Sequence, residues 1–280
     1  MRLTARADRS AFGVHVVFGK TAPDISLNAV ANLGYAEGRF LRLAYPGDTL
    51  SATSEILGKK ENSSGANGVV WVRSKGIVYK ADPATPMPNV APPALRAAVP
   101  ASALVLPEGL DFSRYAHDLA GEPYALEDYE FGECLDHIDG MAVEEAEHQI
   151  ATRLYQNTAK VHFNLHEQAA GRFGRRLIYG GVGISLARAL SLNGLANAQL
   201  MLAINGGKHV NPLFAGDTIF AWSQILDKAL PAPKVGALRV RLVATKNQPC
   251  ADFPGRVVSD KPHPAVVLDF DYWVAIPARS

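Results

Sequence analysis

The chain has 280 residues, 48% of them hydrophobic and 20% charged, with a formal net charge of +1. That is enough apolar material for one large or two ordinary folded domains. Charge close to zero, with both signs interspersed, excludes the electrostatic footprint of a nucleic-acid or membrane-surface binder.

In chain order, the basic opening MRLTARADR leads into no apolar signal core, so a cytoplasmic location is expected. Val14–Leu33 reads as a helix, followed by strands near Gly34–Leu43, Asp48–Gly58 and Gly68–Val78. Ala81–Pro107 holds seven prolines and reads as a stiff linker without a packed core. Asp111–Gly132 is an aromatic lead-in with Tyr115, Tyr124, Tyr129 and Phe131. Val143–Gln156 reads as a helix with Glu144, Glu145 and Glu147 near its positive end and Ala146, Ile150 and Leu154 as its apolar stripe.

Leu177–Leu195 is a second long helix, with Ile178, Val182, Leu186, Leu190 and Leu195 near helical spacing. Gly180, Gly181 and Gly183 would let it lie close against a flat surface. Strands are expected at Gln199–Val210, Asp217–Asp227, Gly236–Lys246 and Ala265–Ile276, separated by Pro- and Gly-containing turns. A long buried helix followed by antiparallel strands is an α+β layer arrangement, a sheet wrapped around a helix. No uninterrupted apolar run reaches membrane-spanning length, since Arg188 and Asn193 break the most apolar helical stretch. Cys134 and Cys250 show no zinc-ligand spacing and read as unlinked thiols.

The sequence contains itself twice. Tyr45–Lys59, YPGDTLSATSEILGK, matches Phe214–Lys228, FAGDTIFAWSQILDK, at an offset of 169. Ile25–Asn32 matches Leu190–Asn197 and Gly68–Arg73 matches Gly236–Arg241, at offsets of 165 and 168. Three blocks in one order mark a duplicated fold unit. The expected organisation is a truncated first copy over 1–80, a linker over 81–110 and a complete second copy over 111–280. The first copy, lacking a last strand, needs its open sheet edge covered.

The chemistry is expected in Tyr155–Gly183, a polar stretch with His162 on a loop and a Gly-rich helix start after a basic run. The duplicated unit, the paired PGDT/AGDT turns, and VEEAEHQIATRLYQNTAKVHFN followed by GRRLIYGG resemble the MaoC-like hydratases of the double hot-dog fold. Within that group the chain resembles the mesaconyl-CoA hydratase (β-methylmalyl-CoA dehydratase) family. FGKTAPDISLNAVANLGYAEGRF, YPGDTLSATSEILG and GVVWVRSKG look like that family's first half, and QNTAKVHFN with RRLIYGG like its second.

The resemblance implies reversible addition of water to the double bond of a short, branched dicarboxylic enoyl-CoA, with no metal or redox cofactor, in a homodimer. It places the proton-shuttling histidine at His162. Five residues earlier, where the general pattern has Asp, stands Asn157, which can orient a water but cannot act as a base. A carboxylate such as Glu145 or Glu147 would then have to share the work. The backbone at Gly180 would stabilise the thioester enolate, and Tyr179, Gly181, Lys160 and Arg176 would meet the substrate. Chemically, an imidazole can accept and return a proton near neutral pH, and a helix N-terminus offers N–H groups to a developing oxyanion. Asn157 could equally be a left-handed helix cap, and Gly180 and Gly181 could be packing glycines. The same scaffold could serve an acyl-CoA thioesterase or a non-catalytic acyl-CoA-binding relative. His166 lacks a third ligand for a metal, and His137, His148, His209 and His263 give no pattern. Asp48 and Asp217 recur in both copies and read as turn residues.

Overall fold

The computed structural model describes residues 10–26, 29, 32–41, 50–63, 68–78, 98–257 and 261–279. Helix α1 (Ser10–Thr21) continues as a π turn over Ala22–Ser26. Strands β1 (Tyr35–Arg39), β2 (Leu50–Glu61) and β3 (Gly68–Val78) follow. Next come α2 (His117–Ala120), β4 (Cys134–Asp136), β5 (Met141–Ala142) and α3 (Glu145–Leu154). Helices α4 (Lys160–Phe163), α5 (Leu165–Ala169), α6 (Gly180–Leu190) and α7 (Leu192–Leu195) lead into β6 (Leu200–His209), β7 (Thr218–Ala232), β8 (Val235–Lys246) and β9 (Val266–Pro277). The PGDT turn at 46–49 and linker residues 81–97 lie outside the described residues.

The first helix is shorter than expected. Pro23 has no N–H to give to the carbonyl four residues back, and the regular α pattern yields to the wider π turn from Ala22. Asn32 and Leu33, which the sequence suggested as the end of that helix, have no regular structure.

The main sheet is antiparallel, in the order β1-β6-β9-β8-β7-β4, with β5 also pairing β7. Alternation along β9 sends Leu268, Phe270, Tyr272, Val274 and Ile276 into one core with Leu238, Val240 and Leu242 of β8. Ile184, Ala187 and Leu190 of α6 join the same core. Each of these larger side chains is almost wholly buried, a gain of about 1.5–3 kcal/mol apiece. Val182 and Leu186, placed on the buried stripe by spacing alone, are only partly covered. Arg188 is accommodated because its guanidinium reaches the Tyr272 hydroxyl (3.0 Å), Ser191 Oγ (2.8 Å) and the Ala198 carbonyl (2.9 Å).

The opposite face of the sheet is covered by chain that the sequence suggested would stay unpacked. Val99, Ala101, Leu104, Leu106 and Leu110 pack on Trp273, Ala275, Leu202 and Ala237. The indole of Trp273 donates to the Val99 carbonyl at 2.8 Å, and the Val99 amide donates to Asn205 Oδ1 at 2.8 Å. The apolar spacing of 99–110 thus overrides its proline content. Further along this face, Trp222, Val243 and Val266 lie under Cys250 and Phe253. Cys134 and Cys250 are both free.

The strands of the first copy divide. β1 pairs with β6 of the second copy, Tyr35 opposite Gly207 and Arg39 opposite Ala203. β2 and β3 form a separate two-stranded sheet, from Leu50 opposite Val78 to Glu61 opposite Gly68. Helix α1 packs on this pair and also reaches β6. The architecture is α+β, antiparallel sheets laid around helices.

Candidate active site

The site is assembled where α3, α4 and the start of α6 meet. Helix α3 turns His148 and Thr152 inward, both with no exposed surface, while Ile150 and Leu154 are exposed and Ala146 lies outside as well. This reverses the stripe expected from apolar spacing. Two backbone groups beneath α3, the Tyr179 amide and the His162 carbonyl, meet the polar side of the helix. His148 Nε2 accepts the Tyr179 amide at 3.0 Å, and Gln149 Nε2 donates to the His162 carbonyl at 3.1 Å. A ring nitrogen that accepts carries its lone pair, so the His148 proton sits on Nδ1. Burial, helped by His162 and Arg176, lowers the His148 pKa to about 4.

His162, on α4, is clamped to the chain that leads into α6. Its Nδ1 donates to the Leu177 carbonyl at 2.8 Å, and the Leu177 amide donates back to the Val161 carbonyl at 3.0 Å. The proton is therefore held on Nδ1 and the lone pair stands on Nε2. Burial lowers the pKa of this imidazole, opposed by its bond to Leu177. A neutral ring with a fixed tautomer is the state a general base needs. Its ring meets Tyr179 at 5.7 Å and His148 at 6.1 Å between centroids.

Tyr179 caps α6 and is buried, and burial raises its hydroxyl pKa well above the usual value. At the next two positions any side chain would push a neighbouring ring aside. A Cβ on Gly180 would lie 2.3 Å from His209 Nε2. One on Gly181 would lie 2.5 Å from the Tyr179 ring and 2.6 Å from His15 Nδ1. Gly183 is different, since its Cβ would meet Leu213 at 3.6 Å, an ordinary contact. The Val182 amide is taken by the Tyr179 carbonyl at 2.9 Å. The first-turn amides of Gly180 and Gly181 stand at the positive end of α6, where an oxyanion would be stabilised.

The far wall comes from the first copy and from β6. His15 on α1 bonds Ser185 Oγ through Nε2 at 2.9 Å and faces the Tyr179 hydroxyl through Nδ1 at 3.4 Å. Phe18 stacks on Tyr179 at 6.0 Å, and Gly19 is pressed so closely on the Tyr155 carbonyl that a Cβ would overlap it at 1.6 Å. From the end of β6, His209 meets the Tyr35 ring at 6.0 Å. Its buried Nε2 has no hydrogen-bond partner among the described residues. An unpaired buried polar atom costs about 1–3 kcal/mol.

The sequence-based candidates separate into two groups. His162, Tyr179, Gly180 and Gly181 come together. Asn157 is buried and serves its own turn, with Oδ1 accepting the Ala159 amide at 3.2 Å and its amide donating to Thr152 at 2.9 Å. The left-handed residue after α3 is Gln156 (φ 57°), so Asn157 is not the cap. Lys160 pairs with Glu167 at 3.3 Å. Arg176 pairs with Glu145 and donates to the Phe163 carbonyl at 3.3 Å, tying α3 to α4. The carboxylate of Glu145 is thereby engaged with that guanidinium. His15, His148 and His209 carry no sequence signal of this role, except that His148 and Thr152 share one polar side of a helix four residues apart.

No family model matches the chain. It is 55% identical to β-methylmalyl-CoA dehydratase from Chloroflexus aurantiacus, over 95% of this chain and 80% of that protein. It is 56% identical to mesaconyl-CoA hydratase from Cereibacter sphaeroides, over 94% of this chain and 80% of the relative. Among solved structures, a MaoC domain protein dehydratase from Chloroflexus aurantiacus superposes with a TM-score of 0.89 at 53% identity, covering 98% of this chain and 83% of that one. A Mycobacterium tuberculosis protein with a double hot-dog fold, at 21% identity, superposes with a TM-score of 0.70 over 99% of this chain and 83% of its own. That match bears on the fold alone. With more than half of its residues identical over nearly its whole length, the chain belongs to the MaoC-like, double hot-dog family of mesaconyl-CoA hydratases (β-methylmalyl-CoA dehydratases).

Proposed function

We propose that this protein is a hydro-lyase that interconverts mesaconyl-CoA and β-methylmalyl-CoA. The carrying observation is the lock of His162 Nδ1 on the Leu177 carbonyl, three residues before the glycine that opens α6. It leaves a neutral base at Nε2, tied to the chain that leads into the N-terminus of α6. In the hydration direction, His162 Nε2 takes a proton from water and the water oxygen bonds to the β-carbon. The π pair of the double bond moves toward the α-carbon and is delocalised onto the thioester oxygen, which the Gly180 amide steadies. Return of the proton from His162 to the α-carbon completes the addition.

Because hydration is redox-neutral and the thioester itself stabilises the carbanion, neither a redox group nor a metal is required. With Asn157 holding its turn and Glu145 paired to Arg176, His162 carries the proton in both half-steps. Arg176 and Lys160 act by fixing α3, α4 and α5 around the site rather than as free cations. The free state of both cysteines supports a reducing, cytoplasmic setting. A homodimer rests on the family resemblance, and Ile150 and Leu154 on α3, 65% and 60% accessible, are the side chains to test for a contact.

The test is incubation with mesaconyl-CoA, following loss of the conjugated thioester absorbance together with free thiol. Loss of absorbance without thiol release supports the hydratase. Release of CoA thiol would make the protein a thioesterase, and binding without turnover would make it an acyl-CoA-binding relative.

A further inference from the structure

Resting on the hydratase reading, we propose that His209 is a further catalytic residue, whose Nε2–H donates to the thioester oxygen beside the Gly180 amide. Three independent observations converge on that nitrogen. It is the atom that a Cβ at Gly180 would strike first, at 2.3 Å, ahead of Cε1 at 2.5 Å. It therefore stands against the backbone that opens α6. It is buried and, among the described residues, has no hydrogen-bond partner, although imidazole nitrogens in folded interiors are nearly always paired. Its ring is braced by Tyr35 of β1, in edge contact at 6.0 Å, so its direction is set by packing and not by a bond at Nε2.

His209 and His162 then divide the chemistry by the bonds they already make. His162 has its Nδ1 proton committed to Leu177 and offers a lone pair at Nε2. His209 has an uncommitted Nε2 facing the helix start, where an oxyanion needs donors. Burial and the neighbouring His162 keep His209 neutral near pH 7, with a pKa of about 4. A neutral imidazole polarising a carbonyl is established enzyme chemistry. The requirement for glycine at 180 follows from the same geometry, since any side chain there would displace the donor from the oxygen it serves. His209 takes no part in breaking or forming covalent bonds in the addition of water. It lowers the energy of the enolate that forms when the β-carbon is attacked.

The two amide replacements separate reach from mere polarity. Gln places an N–H close to where His carries Nε2, and Asn places one close to Nδ1. We expect His209→Asn to lower kcat on mesaconyl-CoA by about 10²-fold with KM changed less than about threefold, and His209→Gln to retain activity to within about tenfold. The second readout does not need turnover. Methylsuccinyl-CoA, the saturated analogue, labelled with carbon-13 at the thioester carbonyl, is bound to each variant and its carbonyl stretch recorded by infrared difference spectroscopy. Wild type and His209→Gln should move the band to lower frequency, and His209→Asn should lose part of that shift. Equal kcat values for the two variants, or an identical carbonyl band in all three proteins, would overturn the assignment. A wild-type protein that polarises the bound carbonyl in a His209-dependent way but adds no water would keep this assignment and remove the hydratase reading instead.

Discussion

The two copies of the duplicated unit have been put to different uses, and the difference is one of packing: one builds a continuous core and the other leans on it. In the second copy, α6 lies on a continuous sheet whose inner face is apolar along its length. The first copy has α1 and the matching strand blocks, yet Ala22 and Leu57 are its buried hydrophobics among the described residues, and its strands are shared out between two sheets. It builds little core of its own. Its helix instead presents His15, Phe18 and Gly19 to Tyr179, Ser185 and Tyr155 of the other copy, and its β1 braces His209. In the proposed mechanism one copy holds the reacting groups and the other walls them in. Duplication followed by division of labour lets each half lose what the other supplies.

The largest loss is expected from removing the proposed base in the second copy. His162→Ala is expected to lower kcat by about 10²–10⁴-fold, with far-ultraviolet circular dichroism unchanged. Next in size is a change confined to the first copy. Gly19→Ala forces α1 off the Tyr155 carbonyl, and a displaced wall should cost on the order of 10²-fold in kcat/KM. The thermal transition of the second copy should survive that change. Retention of full activity in Gly19→Ala would show that the first copy is not part of the site.

A pH titration tests the four histidines buried neutral, His15, His137, His148 and His209, each with a pKa lowered to about 4 mainly by burial. The unfolded chain binds protons at these groups from about pH 6.5 downward, whereas the folded protein resists them until about pH 4. Stability from this source is complete above pH 6.5 and is lost as the pH falls toward 4. The melting temperature should therefore drop between pH 7 and pH 5, and a flat profile would contradict the neutral assignments. The smallest expected effect is at Gly183, where a Cβ has room. Gly183→Ala should raise stability by about 0.5–1 kcal/mol in urea unfolding, with activity unchanged. Gly180→Ala, three residues earlier, should instead abolish most activity by displacing His209.

Much of this organisation was legible in the sequence, for physical reasons that vary by element. The four long strands of the second copy follow from alternation and turn residues, and β3 matches its expected span of Gly68–Val78 at both ends. Helix α3 was legible as a helix but not in its rotation, since the apolar spacing of Ala146, Ile150 and Leu154 pointed to the wrong buried side. Only the partner surface, which offers the Tyr179 amide to His148 and the His162 carbonyl to Gln149, decides that His148 faces in. His162 and Gly180 were legible through a motif in one contiguous stretch. His15 and His209 were not, because they are 147 and 47 residues from His162 and are brought in by sheet and helix packing alone. Residues 99–110 show the converse error, in which proline content hid an apolar run that covers Trp273.

The most direct test of the account is turnover of mesaconyl-CoA in water enriched with oxygen-18, read by mass spectrometry in wild type and His162→Ala. A hydratase working through His162 gives a CoA ester heavier by one labelled water, no free thiol, and loss of that product in His162→Ala. Label found in a free acid alongside released CoA, or full turnover in His162→Ala, would contradict it.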